Sequence, residues 1–401
     1  MGVKFSVAVV IKSDLKSGGG FQYEHMVLNI IKKYHTINSS INIKFFTLNS
    51  KVLQDYQDLG LDISLINENS IKKIHRLALS NMFIFSLLSK IKLGKSFVEK
   101  FLLKNKVDLV YFLSPDILSL GLSNIPYIFT LWDLGHLENM EFPEVSHNRV
   151  FEKREYLYSK SLKKSFKVVV DSNCSKKYTI DKYNLDSKRL EVLKYLPNIR
   201  ISNNESPIDI KKKYGLNNDY IFYPAQFWAH KNHVYILDAI KILKSNNILI
   251  DVVFSGADKG TLKHVLKKAK SYGIDDLVHY IGFAPNEEIP YLYEQSLALV
   301  MPTYLGPTNI PPLEAFAYGT PVCYSDTPFF REQVGGAAFF MDLNDSESLV
   351  NHLLDIMSNK DKVEEKLILG FKVLEEWDEN DFYKKIINIF SEYRYIKRSW
   401  K

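Results

Sequence analysis

Cysteine is nearly absent from this sequence of 401 residues: only Cys174 and Cys323 occur, and there is no Cys-x-x-Cys pair. This scarcity excludes a disulfide scaffold and a zinc finger, and it favours a reducing compartment. Uncharged apolar runs of about 18 residues are also missing, so no membrane-spanning helix is predicted. Neither Asp-x-Asp nor Gly-x-Gly-x-x-Gly occurs. We therefore expect no metal held by such an acidic pair and no nicotinamide dehydrogenase.

Charge is only mildly unbalanced, because 52 lysines and arginines against 46 aspartates and glutamates give a net charge of +6. With 46% hydrophobic residues, a chain of this length can bury a substantial core without disulfide bonds or a structural metal. Segments 71–106 and 395–401 mix basic with apolar residues. Either they pack on a sheet and expose solvated lysines, or they lie on an anionic membrane surface. We expect a cytoplasmic protein, peripheral at the inner face of the plasma membrane in the second case, without a nucleic-acid partner.

Short apolar runs alternate with helical patterns, which is typical of parallel strands buried on both faces. The runs are Ser6–Ile11, Ile41–Leu48, Val107–Leu113, Tyr127–Leu131, Lys167–Asp171, Tyr220–Pro224, Asp251–Ser255, Val278–Gly282, Ala298–Met301, Pro321–Tyr324 and Ala337–Met341. The pattern restarts near Tyr220 after a polar linker. It predicts an α/β protein with two Rossmann-like, doubly wound parallel-sheet domains and a cleft between them. We place the domains at 1–200 and 201–377, with a last helix at 378–401 that packs back on the first.

Two candidate sites follow strands of the first domain. Gly18, Gly19 and Gly20 have no side chains, so their backbone can turn sharply or approach a phosphate or a sugar closely. Asp133 and His136 follow another strand, at the edge where open α/β sheets bind ligands. They are the candidate catalytic residues, because a carboxylate and an imidazole can orient hydroxyl groups. The alternatives are a flexible turn, a helix-capping aspartate and a surface histidine.

The strand that opens the second domain is followed by Gln226, His230, Lys231 and His233. Lys231 is a positive charge at the point where a strand ends and a helix begins, which suits a diphosphate. A solvated lysine is the alternative. The two histidines have metal-like spacing, but the sequence offers no evident third ligand, so we predict no bound metal.

The strongest motif is Pro302–Val322, in which a strand leads through a glycine- and proline-rich loop into a short helix. Pro311 or Pro312 suits the first turn of that helix, and Gly319 suits its C-terminal end. Glu314 is predicted in the first turn. A carboxylate there can accept two ribose hydroxyls while the helix N-terminus faces the phosphates. The alternative is that Glu314 only complements the helix dipole.

The motif Pro-Pro-Leu-Glu-Ala-Phe-Ala-x-Gly-Thr-Pro-Val resembles the nucleotide-sugar site of retaining glycosyltransferases of the family-4 type, which have the GT-B fold. The resemblance spans the chain in order and includes Gly18–Gly20, the strand before Asp133, Asp171–Ser175, Lys231–Asn232, Phe254–Gly256, Ile281–Phe283 and the last helix. The loop variant Leu-Gly-Pro-Thr-Asn resembles mannosyl- and rhamnosyl-transferases of surface polysaccharide assembly.

The resemblance implies that Lys231 contacts the donor diphosphate and Glu314 the ribose. It also implies that the Gly282–Phe283 loop lies near the base, and Gly18–Gly20 near the phosphates and the acceptor. Gln226 stands where the family often has arginine. The predicted donor-binding residues are Gln226, Lys231, Gly256, Gly282, Phe283, Gly306, Thr308, Asn309, Ile310 and Glu314. No cofactor is expected. The resemblance implies that the leaving phosphate itself takes the acceptor proton, so a separate general base is not required.

Two positions depart from the family pattern. Its Glu-x7-Glu motif has the first glutamate where this chain has Gly306, and its His-Asp pair is Trp132-Asp133 here. Both of the family's residues usually touch the donor sugar. Thr308 and Asn309 on the same loop can donate and accept hydrogen bonds. We therefore expect these two residues, with the loop amides, to replace the missing glutamate, and Trp132 to close the far side of the sugar pocket.

The resemblance therefore implies a retaining hexosyltransferase. It would move a hexose, with mannose favoured, from a nucleoside diphosphate sugar, with GDP-mannose favoured, to a glycan or lipid-linked glycan. The product would be an O-antigen, a capsule or another surface polysaccharide. A GT-B nucleotide-sugar epimerase and a non-catalytic sugar-binding or assembly protein are the alternatives. Nucleotide release that depends on an acceptor separates the transferase from the epimerase.

Overall fold

The computed structural model describes residues 5–14, 19–35, 40–67, 96–196, 207–306, 308–376 and 378–400. Within these ranges the chain divides into two compact units, and the predicted α/β class with two parallel sheets is confirmed. No helix in the described part of the chain is both long enough and apolar enough to cross a bilayer.

The first unit is built on a seven-stranded parallel sheet with the order β3-β2-β1-β4-β5-β6-β7. Its strands are β1 Phe5–Ile11, β2 Ile41–Thr47, β3 Ile63–Leu65, β4 Leu109–Phe112, β5 Tyr127–Thr130, β6 Lys167–Val170 and β7 Leu190–Val192. Every residue of β1, β4, β5 and β6 is buried. The apolar runs of these strands are continuous because both faces of the sheet are covered.

Helices connect these strands in the right order for parallel pairing. The first unit contains α1 Gly19–Tyr34, α2 Ser50–Asp58, α3 Phe97–Lys104, α6 Val150–Lys164, α7 Asn173–Tyr183 and α16 Glu379–Lys397. Helix α4 Gly135–Glu138 crosses the boundary after His136, and α5 Pro143–Ser146 belongs to the second unit. The last helix packs on the first unit, where the Tyr393 ring lies 6.0 Å from that of Phe5 and Lys397 pairs with Asp108.

The second unit has a six-stranded parallel sheet with the order β10-β9-β8-β11-β12-β13. Its strands are β8 Tyr220–Pro224, β9 Asp251–Ser255, β10 Val278–Tyr280, β11 Ala298–Met301, β12 Val322–Ser325 and β13 Phe339–Met341. Its other helices are α8 Ile210–Tyr214, α9 His233–Ser245, α10 Leu262–Ser271, α11 Ile289–Glu294, α12 Ile310–Ala317, α13 Pro328–Val334, α14 Glu347–Ser358 and α15 Lys360–Glu375. In both sheets the first strand of the unit has the second and the fourth as neighbours, so the order reverses there. Such a switch point is where open α/β sheets bind ligands.

The boundary between the units differs in one respect from a division near residue 200. The first unit comprises 1–136, 148–195 and 378–401, and the second comprises 137–147 and 196–377. The excursion 137–147 belongs to the second unit because its side chains are paired there. Glu144 accepts a hydrogen bond from the backbone N–H of His230 at 2.8 Å, and the Phe142 ring lies 5.2 Å from that of Tyr304.

Candidate functional site

The loop and helix after β11 form the predicted strand–loop–helix unit. Helix α12 starts at Ile310, and Pro311 and Pro312 occupy its second and third positions, where a missing N–H costs nothing. The helix ends at Ala317, and Gly319 follows with a left-handed φ of +70°. The prolines and this glycine therefore fix the two ends of the helix as predicted.

Glu314 lies one turn further along α12 than predicted. It is the fifth residue of the helix, so it belongs to the second turn rather than the first. The residue is 5% exposed, and the Tyr293 hydroxyl donates to its Oε2 at 3.0 Å. Because the helix dipole acts mainly within the first turn, complementing that dipole does not explain this carboxylate.

Lys231 ends a short turn, Ala229–Lys231, between β8 and α9. Its backbone is held at both polar groups: the N–H donates to the carbonyl of Trp228 at 3.1 Å, and the carbonyl accepts from the Tyr223 hydroxyl at 2.9 Å. Its side-chain Nζ donates to Asn309 Oδ1 at 3.2 Å. The structure therefore brings two of the predicted donor-site residues into direct contact across the switch point of the sheet.

The Asn309 amide is already engaged. Besides accepting from Lys231, it donates through Nδ2 to the Gly306 carbonyl at 3.0 Å and to the Tyr324 hydroxyl at 2.8 Å. Its two N–H groups are thus both used. No N–H of this amide is left for a sugar hydroxyl, so the expected contact of Asn309 with the donor sugar stays a prediction only for its Oδ1. Thr308 beside it is half-buried, and its expected sugar contact stays a prediction.

The loops after β8 and β9 meet at Gly256. This glycine has a φ of +151°, and a Cβ on it would lie 2.3 Å from the carbonyl oxygen of Ala225. Close approach of two backbones therefore requires glycine here. The Ser255 hydroxyl donates to the carbonyl of Gly282 at 2.9 Å and accepts from the N–H of Ala284 at 3.1 Å. These bonds tie the loop after β10 to the same edge.

Gln226 and Phe283, two further predicted donor residues, lie on these loops. Gln226 accepts through Oε1 from the indole N–H of Trp228 at 3.0 Å, which fixes its orientation. The Phe283 side chain is 60% exposed. An exposed aromatic ring beside a loop with fixed backbone offers a flat surface to a planar ligand.

In the first unit, a cavity of about 440 Å³ opens at the carboxyl ends of β1, β4 and β5. Its lining residues are Lys12, Pro115, Ile117, Trp132, Asp133, Lys153, Arg154, Tyr156, Leu157 and Tyr158. Three cations, one carboxylate and several aromatic rings thus surround a space large enough for a small ligand.

Asp133 is oriented within this cavity by Arg154. The Arg154 guanidinium pairs with Asp133 Oδ1, which also accepts from the N–H of Gly135 at 2.9 Å. Burial by itself would raise the pKa of Asp133, but the charge and hydrogen bond of Arg154 outweigh it and hold that pKa below the usual value. Asp133 is therefore an ionised hydrogen-bond acceptor at neutral pH.

His136 points elsewhere. Its side chain has no exposed surface, and its Nε2 lies 2.9 Å from Glu155 Oε1, which also accepts from the Tyr183 hydroxyl. Burial lowers the pKa of His136. The expectation of a catalytic or surface histidine is corrected here, because an imidazole with no exposed surface in its unit cannot reach a substrate.

Gly19 and Gly20 are the first two residues of α1, and their expected contact with a phosphate or an acceptor stays a prediction. A Cβ on Gly20 would lie 2.7 Å from the Trp132 ring. The indole N–H of Trp132 donates to the Leu113 carbonyl at 3.2 Å, which holds the ring at the cavity wall. Gly18 lies outside the described residues.

Glu144 and Arg154 were not found from the sequence. Glu144 is held by both the backbone N–H and the ring of His230. Burial would raise the pKa of Glu144, but these hydrogen bonds hold it below its usual value. Each residue sits in an ordinary polar helical pattern, so nothing local in the sequence marks either one.

No group of three histidine, cysteine, aspartate or glutamate side chains in the described ranges is arranged to hold a metal ion. His233, for which a metal-like spacing was noted, packs between aromatic rings, with that of Phe227 stacked on it at 4.1 Å.

Comparison with known proteins first defines the class. The structure is similar to that of Anabaena Alr3699/HepE in complex with UDP and glucose, with a TM-score of 0.70 over 97% of this chain and 100% of the other at 15% identity. The chain therefore has the GT-B fold, two Rossmann-like parallel-sheet domains, as the resemblance implied.

Residues 207–369 match the family model described as "Glycosyl transferases group 1". The resemblance to GT-B glycosyltransferases read from the loop and helix after β11 is thereby confirmed. O-antigen chain mannosyltransferase B of Escherichia coli is 27% identical over 38% of this chain and 40% of its own. O-antigen chain mannosyltransferase RfbU of Salmonella typhimurium is 28% identical over 52% and 56%. The matches thus span about half the length of these relatives.

Proposed function

We propose that this protein is a retaining glycosyltransferase that moves a hexose from a nucleoside diphosphate sugar to a glycan acceptor in surface polysaccharide synthesis. The observation that carries the proposal is the contact between Lys231 and Asn309. It brings a cation from the loop after β8 to the N-terminal end of α12, at the switch point of the second sheet. A cation beside a helix N-terminus at that edge suits a diphosphate.

Roles for the donor follow from this placement. Lys231 Nζ balances the charge of the diphosphate as it leaves, and the backbone N–H of Ile310 at the start of α12 adds a hydrogen bond. Glu314 accepts the ribose hydroxyls through a carboxylate that Tyr293 orients. Phe283 lies against the base. Charge stabilisation by these groups makes no use of a divalent cation.

The acceptor is proposed to enter the cavity of the first unit. Its aromatic walls, Trp132 and Tyr156, suit the apolar face of a sugar ring, and the cations Lys12 and Lys153 suit an anionic group on the same molecule. Asp133 accepts a hydrogen bond from the attacking hydroxyl and orients it. Since its pKa is held low, the proton is assigned to the leaving phosphate rather than to this carboxylate.

Mannose, carried by GDP, is the favoured donor sugar, because two relatives are named as O-antigen mannosyltransferases. The loop variant read from the sequence supports the same sugar. UDP is the competing nucleotide, since a structure of similar fold is described in complex with UDP and glucose. O-antigen is the favoured polysaccharide and capsule the alternative.

A peripheral membrane location is proposed as well. Basic and apolar residues mix in 71–106, of which 71–95 lie outside the described residues. At the end of α16, Tyr395 is 70% exposed and Trp400 is 59% exposed, beside the exposed Arg398. Exposed aromatic rings next to cations suit an anionic lipid surface. Flotation with anionic liposomes at low salt tests this, and a protein that stays at the bottom of the gradient is not peripheral.

A thermal-shift panel tests the function as a whole. UDP, GDP and their hexose derivatives are added to the full chain. We expect the nucleotides of one base to raise its melting temperature, with GDP-mannose favoured. The stabilising sugar nucleotide is then incubated with and without candidate glycans. Nucleoside diphosphate release that requires the glycan supports transfer. Release or epimerisation without it indicates the epimerase, and binding without any turnover indicates a sugar-binding protein.

A further inference from the structure

Asn309 lies in a buried frame of hydrogen bonds in the second unit. It is 8% exposed, and its side chain bridges the loop after β11 to Lys231 on one side and to Tyr324 on the other. An amide this well packed and this fully bonded is held in one orientation. Its Oδ1 is thereby aimed at the Lys231 Nζ.

Two residues from other elements complete the frame. The Tyr324 hydroxyl on β12 accepts from Asn309 Nδ2 and donates to Gln333 Oε1 at 3.0 Å. Gln333 on α13 bonds the backbone of Asn309 twice, accepting from its N–H at 3.2 Å and donating to its carbonyl at 2.5 Å. The Tyr324 ring is stacked on that of Phe330 at 4.2 Å. Asn309 is therefore fixed through both its backbone and its side chain.

Gly306 makes room for this amide. Its φ is +105°, and a Cβ there would lie 2.9 Å from Asn309 Oδ1 and 3.3 Å from Nδ2. Its carbonyl accepts one of the two N–H groups of that same amide. The side chain of Asn309 thus lies against the Gly306 backbone, where a side chain on residue 306 would need space. The backbone of Gly306 and the side chain of Asn309 therefore pack directly together, and a glutamate at position 306 would clash with the Asn309 amide.

The geometry points to Asn309 as the positioning residue of Lys231, an inference that rests on the proposed function of the site. Asn309 fixes the direction of a long, flexible side chain before the diphosphate arrives, which removes part of the ordering cost of binding. A neutral amide oxygen does so without cancelling the lysine charge. An aspartate would hold the same atom but would neutralise that charge. Gly306 is a glycine in this chain because the amide needs its space.

A double-mutant cycle on the full chain tests this inference. The variants are Asn309→Ala, Lys231→Ala and the double variant, and calorimetry measures their dissociation constants for UDP, GDP and the bare nucleosides. Asn309→Ala is expected to weaken diphosphate binding roughly 3- to 10-fold and to leave nucleoside binding unchanged. In the Lys231→Ala background it should have no further effect. Asn344→Ala, an exposed asparagine of the same unit, is the matched control.

Tyr324→Phe is a second variant that is expected to fold, because it removes only the hydroxyl and keeps the ring stacked on Phe330. It should weaken diphosphate binding in the same direction and, again, only while Lys231 is present. Additive effects of Asn309→Ala and Lys231→Ala, or an effect of Lys231→Ala with none from Asn309→Ala, would overturn the inference. If the wild type binds no nucleoside diphosphate at all, the proposed function fails, and the inference fails with it.

Discussion

The first strand of each unit leads into a loop and a helix that carries a buried titratable side chain. In the first unit it is Glu24 on α1, which has no exposed surface and accepts from the N–H groups of Lys12 and Ser13. In the second it is His233, the first residue of α9, which is 2% exposed and lies among aromatic rings. The helix that follows the first strand thus carries a buried acid in one unit and a buried base in the other.

Burial has opposite effects on the two groups. It raises the pKa of Glu24 to about 7, even though two backbone N–H groups favour the ionised form. It lowers the pKa of His233 to about 3, with a smaller contribution from the Lys231 charge. Each group is therefore neutral in the folded chain over a range where it is charged in the unfolded chain. The stability of the two units should therefore change with pH in opposite directions.

The units also differ in how they hold their candidate site residues. Asn309 and Glu314 of the second unit are each less than a tenth exposed and bonded to other elements. Lys12 and Lys153 of the first unit are exposed on the cavity wall. A fixed set of contacts suits one invariant ligand part, such as a diphosphate. Exposed lysines can adapt, so they suit an acceptor whose size varies as a glycan grows.

The largest expected effect is at His233. The unfolded chain takes up a proton near pH 6.5 and the folded chain only near pH 3, so stability rises with pH between these values and is lost as the pH falls. The complete effect amounts to about 4–5 kcal/mol. His233→Phe should remove this acid sensitivity in thermal melts from pH 4 to 7. His264→Phe, at an exposed position, should keep it, and an unchanged acid limb in His233→Phe would contradict the account.

Glu24 gives the opposite slope. Between its usual value of 4.5 and about 7 the folded chain holds a proton that the unfolded chain has lost, so stability falls as the pH rises through this window. The effect is on the order of 3 kcal/mol. Glu24→Gln should flatten the decline, as measured by hydrogen exchange of the β1 and α1 amides at several pH values. Glu152→Gln, exposed in the same unit, serves as the control. A variant that declines like the wild type would show that Glu24 stays ionised.

Asp133→Asn tests the contrast between the donor and acceptor sites. The asparagine keeps the shape of the side chain and an oxygen that can accept from the Gly135 N–H. It removes the negative charge that is proposed to bind the attacking hydroxyl of the glycan. Losing one charge-assisted hydrogen bond should lower kcat/KM for transfer about 10- to 100-fold. The dissociation constant of the nucleoside diphosphate should not change. Asp181→Asn, exposed on α7, should leave both quantities unaltered, whereas a donor-binding defect in Asp133→Asn would move Asp133 out of the acceptor site.

The smallest expected effect is that of metal removal. Lys231 and the start of α12 are proposed to balance the charge of the diphosphate, so transfer should proceed unchanged after dialysis against EDTA. Initial rates with and without added magnesium or manganese measure this directly. Complete loss of activity in the chelator, restored by either ion, would show that a cation shares the role given to Lys231.

The strands were readable from the sequence because most are continuous apolar runs of four residues or more. Each run named in the sequence overlaps a strand of the structure. Two strands were missed, Ile63–Leu65 and Leu190–Val192. Both have three residues and lie at the two edges of the first sheet, so they are too short to show a period and are only partly buried.

The site was harder to predict, because its geometry depends on contacts between distant segments. The sequence placed Lys231 and Asn309 on separate loops and gave no sign that they touch. It placed Asp133 and His136 together, yet three residues of chain are enough to turn one to the cavity and the other into the core. Glu314 was assigned to the first turn because the start of its helix was read from the prolines, whereas the helix begins at Ile310.

The central claim is that the second unit binds a nucleoside diphosphate through Lys231 and Glu314. Isothermal titration calorimetry of UDP and GDP against the wild type, Lys231→Ala and Glu314→Gln tests it most directly, with the exposed Lys263→Ala as the control. The account predicts that each of the first two variants weakens binding of the preferred nucleotide by about 10- to 100-fold while the protein stays folded. Dissociation constants equal to that of the wild type in both variants would remove these residues from the site and contradict the account.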